Sequence, residues 1–441
     1  MPPILALILC LAFVLFLLRL ENKQSPDVTK ALWIPTIWIL YVASKPLGAW
    51  FQVSLQNPEA GSPLDRAFLT TLTLIALWIL VRRGFDWLGA IKENPWLMIL
   101  IVFMLVSIFW SNIPAISFKR WVRELQAVLM AFMVLSEPFP RQAMESIFRR
   151  TAYILIPFSP VLIKYFPQYG VEYNRWTGAR MWMGVTLQKN GLGRLCIIVA
   201  FFLIWSLIRR WQGNNPPVRK YQTYVELLIL AMVFWLMRGQ GGGSYSATSI
   251  ISLFVAILVY WILYFFRKNG KYLRASTLMI IVTVIILFGV VTVYTGEIRF
   301  GSLTTAIGRN ETLTDRTAIW ASLLPNVKQK PLLGSGFGGF WTPSSMAAYR
   351  INSAHGGYLD MLLVLGFCGI VLVSIYLMSS CQKAQRALSR DFDWGALWLG
   401  YIIMFVVHNI TESSINSFAM HMSAVILFFT VASIKSLAAK N

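Results

Sequence analysis

The sequence predicts an all-α fold: a polytopic transmembrane helix bundle of about 12–13 spans with one long periplasmic loop containing an amphipathic helix. Three observations predict it: the composition, the recurrence of apolar runs of bilayer length, and the alternation of basic and non-basic loops between them. Of 441 residues, 57% are hydrophobic and 13% charged, against roughly 45–50% and 25% in a soluble globular chain. Most of this surface must face lipid or other helices.

In chain order the apolar cores fall near 4–19, 31–51, 66–81, 95–111, 121–136, 151–166, 187–208, 221–237, 247–266, 275–295, 355–378, 395–411 and 418–434. A helix needs roughly 17–25 apolar residues to cross a bilayer. The first run is read as a retained helix, because no basic residue precedes it and no small-residue cleavage site precedes Arg19 and Leu20.

The formal charge is +21, but the basic residues sit in pairs between apolar runs, which points to topology and to no nucleic-acid partner. Alternate loops carry Arg82/Arg83/Lys92, Arg141/Arg149/Arg150, Arg209/Arg210, Arg267/Lys268 and Lys383/Arg386/Arg390. By the positive-inside rule these loops are cytoplasmic. The stretch 167–186, the Gly-rich turn 238–246, the long segment 296–354 and the turn at Glu412 then lie outside, with the carboxyl terminus inside. Cys10, Cys196, Cys368 and Cys381 fall in or at the ends of apolar runs without C-x-x-C spacing, so neither a disulfide nor a metal site is expected.

The chain reads as one membrane domain, 1–441, with the periplasmic insertion 296–354. Within it Thr317, Ile319, Trp320, Leu323, Leu324 and Val327 recur at helical spacing, with Asp315 as an N-cap and Pro331 as a stop. The Gly-dense stretch from Pro331 to Trp341 should fold back over the outer ends of the helices.

Charges at the outer membrane edge are costly and not required by topology, so they mark candidate sites. The first group is Arg175, Arg180 and Lys189, with Asn190 at a helix start; this suits a phosphate-bearing head group. The second is Arg238 followed by the Gly-rich turn to Ser244, Ser246 and Thr248, whose amides and hydroxyls suit an anion-binding nest. The third is Arg316, with His355 and Tyr358 where the loop re-enters the membrane; imidazole takes a proton near neutral pH. His408 and His421 lie in or beside apolar runs and are expected to be packed or hydrogen-bonded. Such cations also suit snorkelling to lipid phosphates.

These groups, in order, resemble the O-antigen ligase and polysaccharide polymerase superfamily, especially its exopolysaccharide polymerase-like branch, over residues 170–415. The resemblance rests on Arg175-x-Thr177-Gly178 with Gln188-Lys189-Asn190, Ser244-x-Ser246-x-Thr248-Ser249, and Asp315-Arg316-Thr317-x-x-Trp320. It continues through Pro331-Leu332-Leu333-Gly334, His355-x-Gly357-Tyr358-Leu359 and Asn409-x-Thr411-Glu412. Ala247 and Thr248 stand where many ligases carry an Arg, and Gly356 where an Asn usually follows the His; both departures point towards polymerase-type relatives.

The resemblance implies an inverting, metal-independent glycosyltransferase with no cofactor, in a bacterial inner membrane. It would take a glycan from undecaprenyl diphosphate on the periplasmic face and pass it to a glycan or lipid acceptor, in exopolysaccharide polymerisation or O-antigen ligation. Outside the membrane no nucleotide sugar is at hand, so a donor must carry its own leaving group; a lipid diphosphate does, and arginines answer the charge it gains. Arg316, Arg175, Arg180 and Lys189 are assigned to the diphosphate, Arg238 stands in for the absent motif Arg, and His355 is the general base. Asn190, Ser244, Ser246, Thr248, Tyr358 and Glu412 support them. The competing class is a transporter or flippase of lipid-linked glycans, which would line a central cavity with charge where these spans are mostly apolar.

Overall fold

The structure, a computed structural model, describes residues 1–53, 61–173, 178–212, 220–240, 246–270, 275–295 and 316–438. Every apolar run carries a helix. The first six are α1 (Pro3–Gln24), α2 (Trp33–Val42), α3 (Pro63–Arg82), α4 (Pro95–Val106), α5 (Pro114–Leu135) and α6 (Pro140–Tyr165). Then come α7 (Lys189–Trp211), α8 (Lys220–Arg238), α9 (Ala247–Lys268) and α10 (Ala275–Thr295). After them lie α11 (Arg316–Gln329), α12 (Gly357–Arg390), α13 (Phe392–Thr411) and α14 (His421–Ala438). Five of the first six open on proline in the first turn, where its missing N–H costs nothing and its fixed φ suits a helix. Among the described residues, seven helices are long and apolar enough to cross a membrane, and α2, α4 and α14 are shorter apolar helices.

The centre is built by α12 against α13 and α10, α13 against α9, and α7 against α8, while α1 lies on α6 and α14 on α5. Trp205, Trp398, Tyr401 and Phe429 are fully buried there. The Glu21, Glu145 and Glu226 carboxylates pair with Arg150, with Arg149 and Arg209, and with Arg210, at 2.8, 3.0, 3.1 and 2.5 Å respectively. These pairs tie α1, α6, α7 and α8 at the end of the bundle that bears the basic loops.

Three local features depart from the sequence reading. The run 31–51 is not one helix: α2 stops at Val42 and a single turn, Leu47–Trp50, follows Pro46. Proline has no N–H to donate and pushes Lys45 out of the helical region. Next, Val171–Tyr173 pairs antiparallel with Arg180–Trp182, a two-stranded hairpin with Val171 opposite Trp182. Last, α12 is broken at Gly366, whose φ of 64° and ψ of −161° only glycine adopts freely.

That break is where the Gly-rich segment docks. The N–H groups of Phe367 and Cys368 donate to the carbonyls of Pro331 and Leu332 at 2.9 and 3.1 Å, and Ser335 N–H donates to Leu363 O at 2.9 Å. A Cβ on Gly366 would strike the Leu332 backbone. Across the helix ends, Phe337 N–H reaches Ser107 Oγ at 2.9 Å and Arg120 donates to the carbonyls of Gly338 and Trp341. The segment lies folded back over the ends of α4, α5 and α12, as the sequence implied. Before it, α11 turns Trp320, Leu323 and Val327 inward, the face that the spacing predicted; Asp315, its expected cap, lies outside the described residues.

Candidate active site

The helices run alternately up and down, so the starts of α7, α9 and α12 and the end of α13 meet at the end of the bundle opposite the basic loops. α11 brings Arg316 to the same place. Its Nη2 donates to Glu412 Oε1 at 2.5 Å, and Nη1 stands 3.5 Å from Thr248 Oγ1. The same Glu412 oxygen accepts from Asn190 Nδ2 at 2.7 Å. Thr248 in turn shares a hydrogen bond of 2.8 Å with Thr411. The cluster thus joins residues of α7, α9, α11 and α13 that stand far apart in sequence.

Glu412 is positioned by backbone. It follows the last residue of α13 in extended conformation, its N–H donating to His408 O at 3.0 Å and its carbonyl accepting from Gly357 N–H at 3.0 Å. Its side chain is 3% exposed and that of Arg316 12%, so the pair is largely desolvated and stronger than a surface ion pair.

His355 enters from the loop before α12 with φ at 49°, a left-handed backbone, and its N–H meets Ser353 Oγ at 3.3 Å. Burial, aided by the positive charge of Arg316, holds its imidazole below the ordinary value; the negative charge of Glu412 opposes this. Near neutral pH the ring is therefore in the form that accepts a proton.

Lys189 opens α7, and its backbone N–H donates to Glu172 Oε1 of the hairpin at 2.8 Å. Burial raises the Glu172 carboxyl above its ordinary value, against the lowering effect of that N–H and of Lys189 and Lys45. Beside it Ser246, bonded to Ser249 at 3.0 Å, and Gly193 line a small cleft with Lys189. A side chain on Gly193 would press into both serines, which is why α7 and α9 can cross there.

The other expected positions lie apart. Arg180 donates to Ile163 O at 3.0 Å and fastens the hairpin to the end of α6. Tyr358 is fully buried, its hydroxyl on Val406 O at 2.8 Å and its ring against Gly289. Arg238 is exposed at the end of α8, at the rim of an open apolar groove of about 500 Å³ formed with Phe234, Ile250, Phe254 and Ile257. Among the described contacts none joins these three to Glu412. Arg175 and Ser244 lie outside the described residues.

The structure adds one group that the sequence reading passed over and one that it assigned to packing or hydrogen bonding. Arg194, one turn into α7, reaches Ser413 O at 3.4 Å. His408, expected to be packed or hydrogen-bonded, is fully buried with neither ring nitrogen hydrogen-bonded. Both sat inside apolar runs, where a charge or an imidazole looks like an isolated substitution; their spacing from Asn190 and Glu412, one helical turn in each case, was the available signal.

The fold and cluster define a class: a multi-pass helical membrane protein whose residues 233–374 match the family model described as O-Antigen ligase. That span holds Arg238, Ser246, Thr248, Arg316, His355 and Tyr358 and lies within the expected 170–415. A particular relative is the exopolysaccharide production protein ExoQ of Rhizobium meliloti (strain 1021). It is 24% identical over 366 residues, covering 78% of this chain and 77% of the relative. Asn190 and Glu412 lie outside the family match and are brought to it by the fold.

Proposed function

We propose that this protein is a glycosyltransferase of membrane polysaccharide biosynthesis. It moves a glycan from undecaprenyl diphosphate to a glycan or lipid acceptor on the periplasmic face, in exopolysaccharide polymerisation or O-antigen ligation. The observation that carries this is the meeting of Arg316, Asn190, Glu412 and His355 at the end of the bundle opposite the basic loops. The family match and the exopolysaccharide production relative support the substrate class, and the positive-inside rule supports the periplasmic side.

His355 accepts the proton of the acceptor hydroxyl as its oxygen attacks the anomeric carbon. The bond from that carbon to the diphosphate oxygen breaks on the opposite face, so configuration inverts. The electron pair leaves with the lipid diphosphate, and Arg316, with Lys189 nearby, meets the charge that gathers there. Glu412 fixes the direction of Arg316 and Asn190. No metal is assigned a part.

The test is transfer in liposomes with a polyprenyl-diphosphate oligosaccharide, beside direct binding of that donor. Arg316→Ala should weaken the donor complex and its transition state by roughly 2–4 kcal/mol. His355→Ala should lower the rate about 10²–10⁴-fold while donor binding stays close to wild type. Unchanged transfer in His355→Ala would remove the base and with it this mechanism.

A further inference from the structure

We propose that Asp360 is a positioning residue for His355, acting through the peptide that precedes it; the role assigned to His355 rests on the function proposed above. Asp360 lies in the first turn of α12, five residues beyond His355, and is fully buried. Its Oδ1 accepts from Trp341 Nε1 at 2.8 Å and from Ala354 N–H at 3.1 Å. Its Oδ2 accepts from Ala354 N–H at 3.3 Å and from Ser413 Oγ. Among the described ion pairs none involves Asp360, so its charge is answered by hydrogen bonds alone, an arrangement that costs desolvation unless every lone pair is used.

Ala354 is held from its other side as well. Trp320 Nε1 donates to the Ala354 carbonyl at 2.8 Å, so both backbone groups of a fully buried residue are fixed by side chains from different segments. The next residue, His355, has φ at 49°. A left-handed backbone at a non-glycine residue persists only where its surroundings over-determine it. Gly356 follows in a tight place, where a Cβ would press on the Trp320 ring at 3.1 Å.

The second grip of Asp360, on Ser413, bears on the residue next to Glu412. One carboxylate therefore sets the direction in which the imidazole leaves the backbone and also holds the residue beside Glu412, whose own place is set by its backbone bonds to His408 and Gly357. Trp341, its third donor, belongs to the segment docked in the α12 break. The side chain ties three stretches of chain at the point where proton acceptor and cation must keep register.

The test compares Asp360→Asn, Trp320→Phe and His355→Ala in liposomes, reading kcat, donor KM and the pH profile. Asp360→Asn keeps shape but replaces one acceptor oxygen by a donor and removes the charge, so its donors can no longer all be served, and displacement of a reacting group by about 1 Å costs about 10²-fold in turnover. The expected result is that loss in kcat at unchanged donor KM, with faster exchange of the Ala354 amide. The acid limb of the profile should move up towards the ordinary imidazole position, because the ring, faced by Glu412 and Arg316, loses its burial. Trp320→Phe, which removes the other grip, should show the same kcat and KM pattern, so a poorly folding Asp360→Asn does not decide the matter. Full kcat in either variant, with His355→Ala inactive, overturns the positioning role and leaves the function standing. An active His355→Ala overturns the function itself.

Discussion

The Arg316 guanidinium and the Glu412 carboxylate, 96 residues apart in sequence, stand 2.5 Å from each other and hold α11 to the end of α13. Neither is at ease alone in so little water. Replacing either by alanine should cost about 3–5 kcal/mol, because the partner remains as an uncompensated buried charge. Replacing both should cost less than the sum. Unfolding of the four proteins of this cycle in one detergent measures the coupling; additive losses would mean that the pair contributes nothing to stability.

The pH dependence has a fixed sign. A base must be neutral to accept a proton, and His355 sits below the ordinary imidazole value of 6.5. The rate should hold from neutral pH down to below that value and then fall. Glu412 is the group that keeps the imidazole from lying lower still, so Glu412→Gln should move the falling limb further towards acid. A profile centred above pH 7, or one that Glu412→Gln moves upward, contradicts the electrostatics of the site.

At Gly366 the backbone lies where other residues pay about 1–3 kcal/mol, and a Cβ would strike the Leu332 backbone. Gly366→Ala should lower stability by at least that amount and loosen the Pro331–Trp341 segment together with α12. Proteolysis of that segment in wild type and variant reads this directly; equal resistance would show that the docked backbone is not held by the break.

Reporters fused at residues 325 and 270 should read on opposite sides, periplasmic and cytoplasmic respectively. The site lies at the end away from Arg209, Arg210, Arg267 and Lys268. A cytoplasmic signal at 325 would place Arg316 on the wrong face for a donor displayed outside.

Chelation gives a further check on the mechanism. Because arginine and lysine are assigned the whole charge of the diphosphate, transfer should continue in EDTA. Loss that added Mg²⁺ restores would mean that a cation shares that charge.

Most of the helices were legible, since an apolar run of bilayer length has few alternatives and proline marks several starts. So was the convergence of Arg316, Asn190, Thr248 and Glu412, because loops on one side of a membrane share an end of the bundle. Three things were not. The hairpin at 171–182 is too short to leave a period-two pattern, and Gly366 looks like any glycine in a span. Asp360 reads as one acid at a helix start, and its importance appears only when Trp341, Ala354 and Ser413 arrive from elsewhere. Arg180 and Tyr358 were singled out for their chemistry, and the structure spends both on packing.

The docking of Pro331–Trp341 into the broken helix ties that segment to α12. A stretch of chain whose carbonyls complete a membrane helix cannot swing aside as a hinged cover without undoing that helix. For the lipid-linked donor proposed above, encounter is a search in two dimensions, and occupancy follows its surface density in the surrounding leaflet rather than any concentration in the water above it.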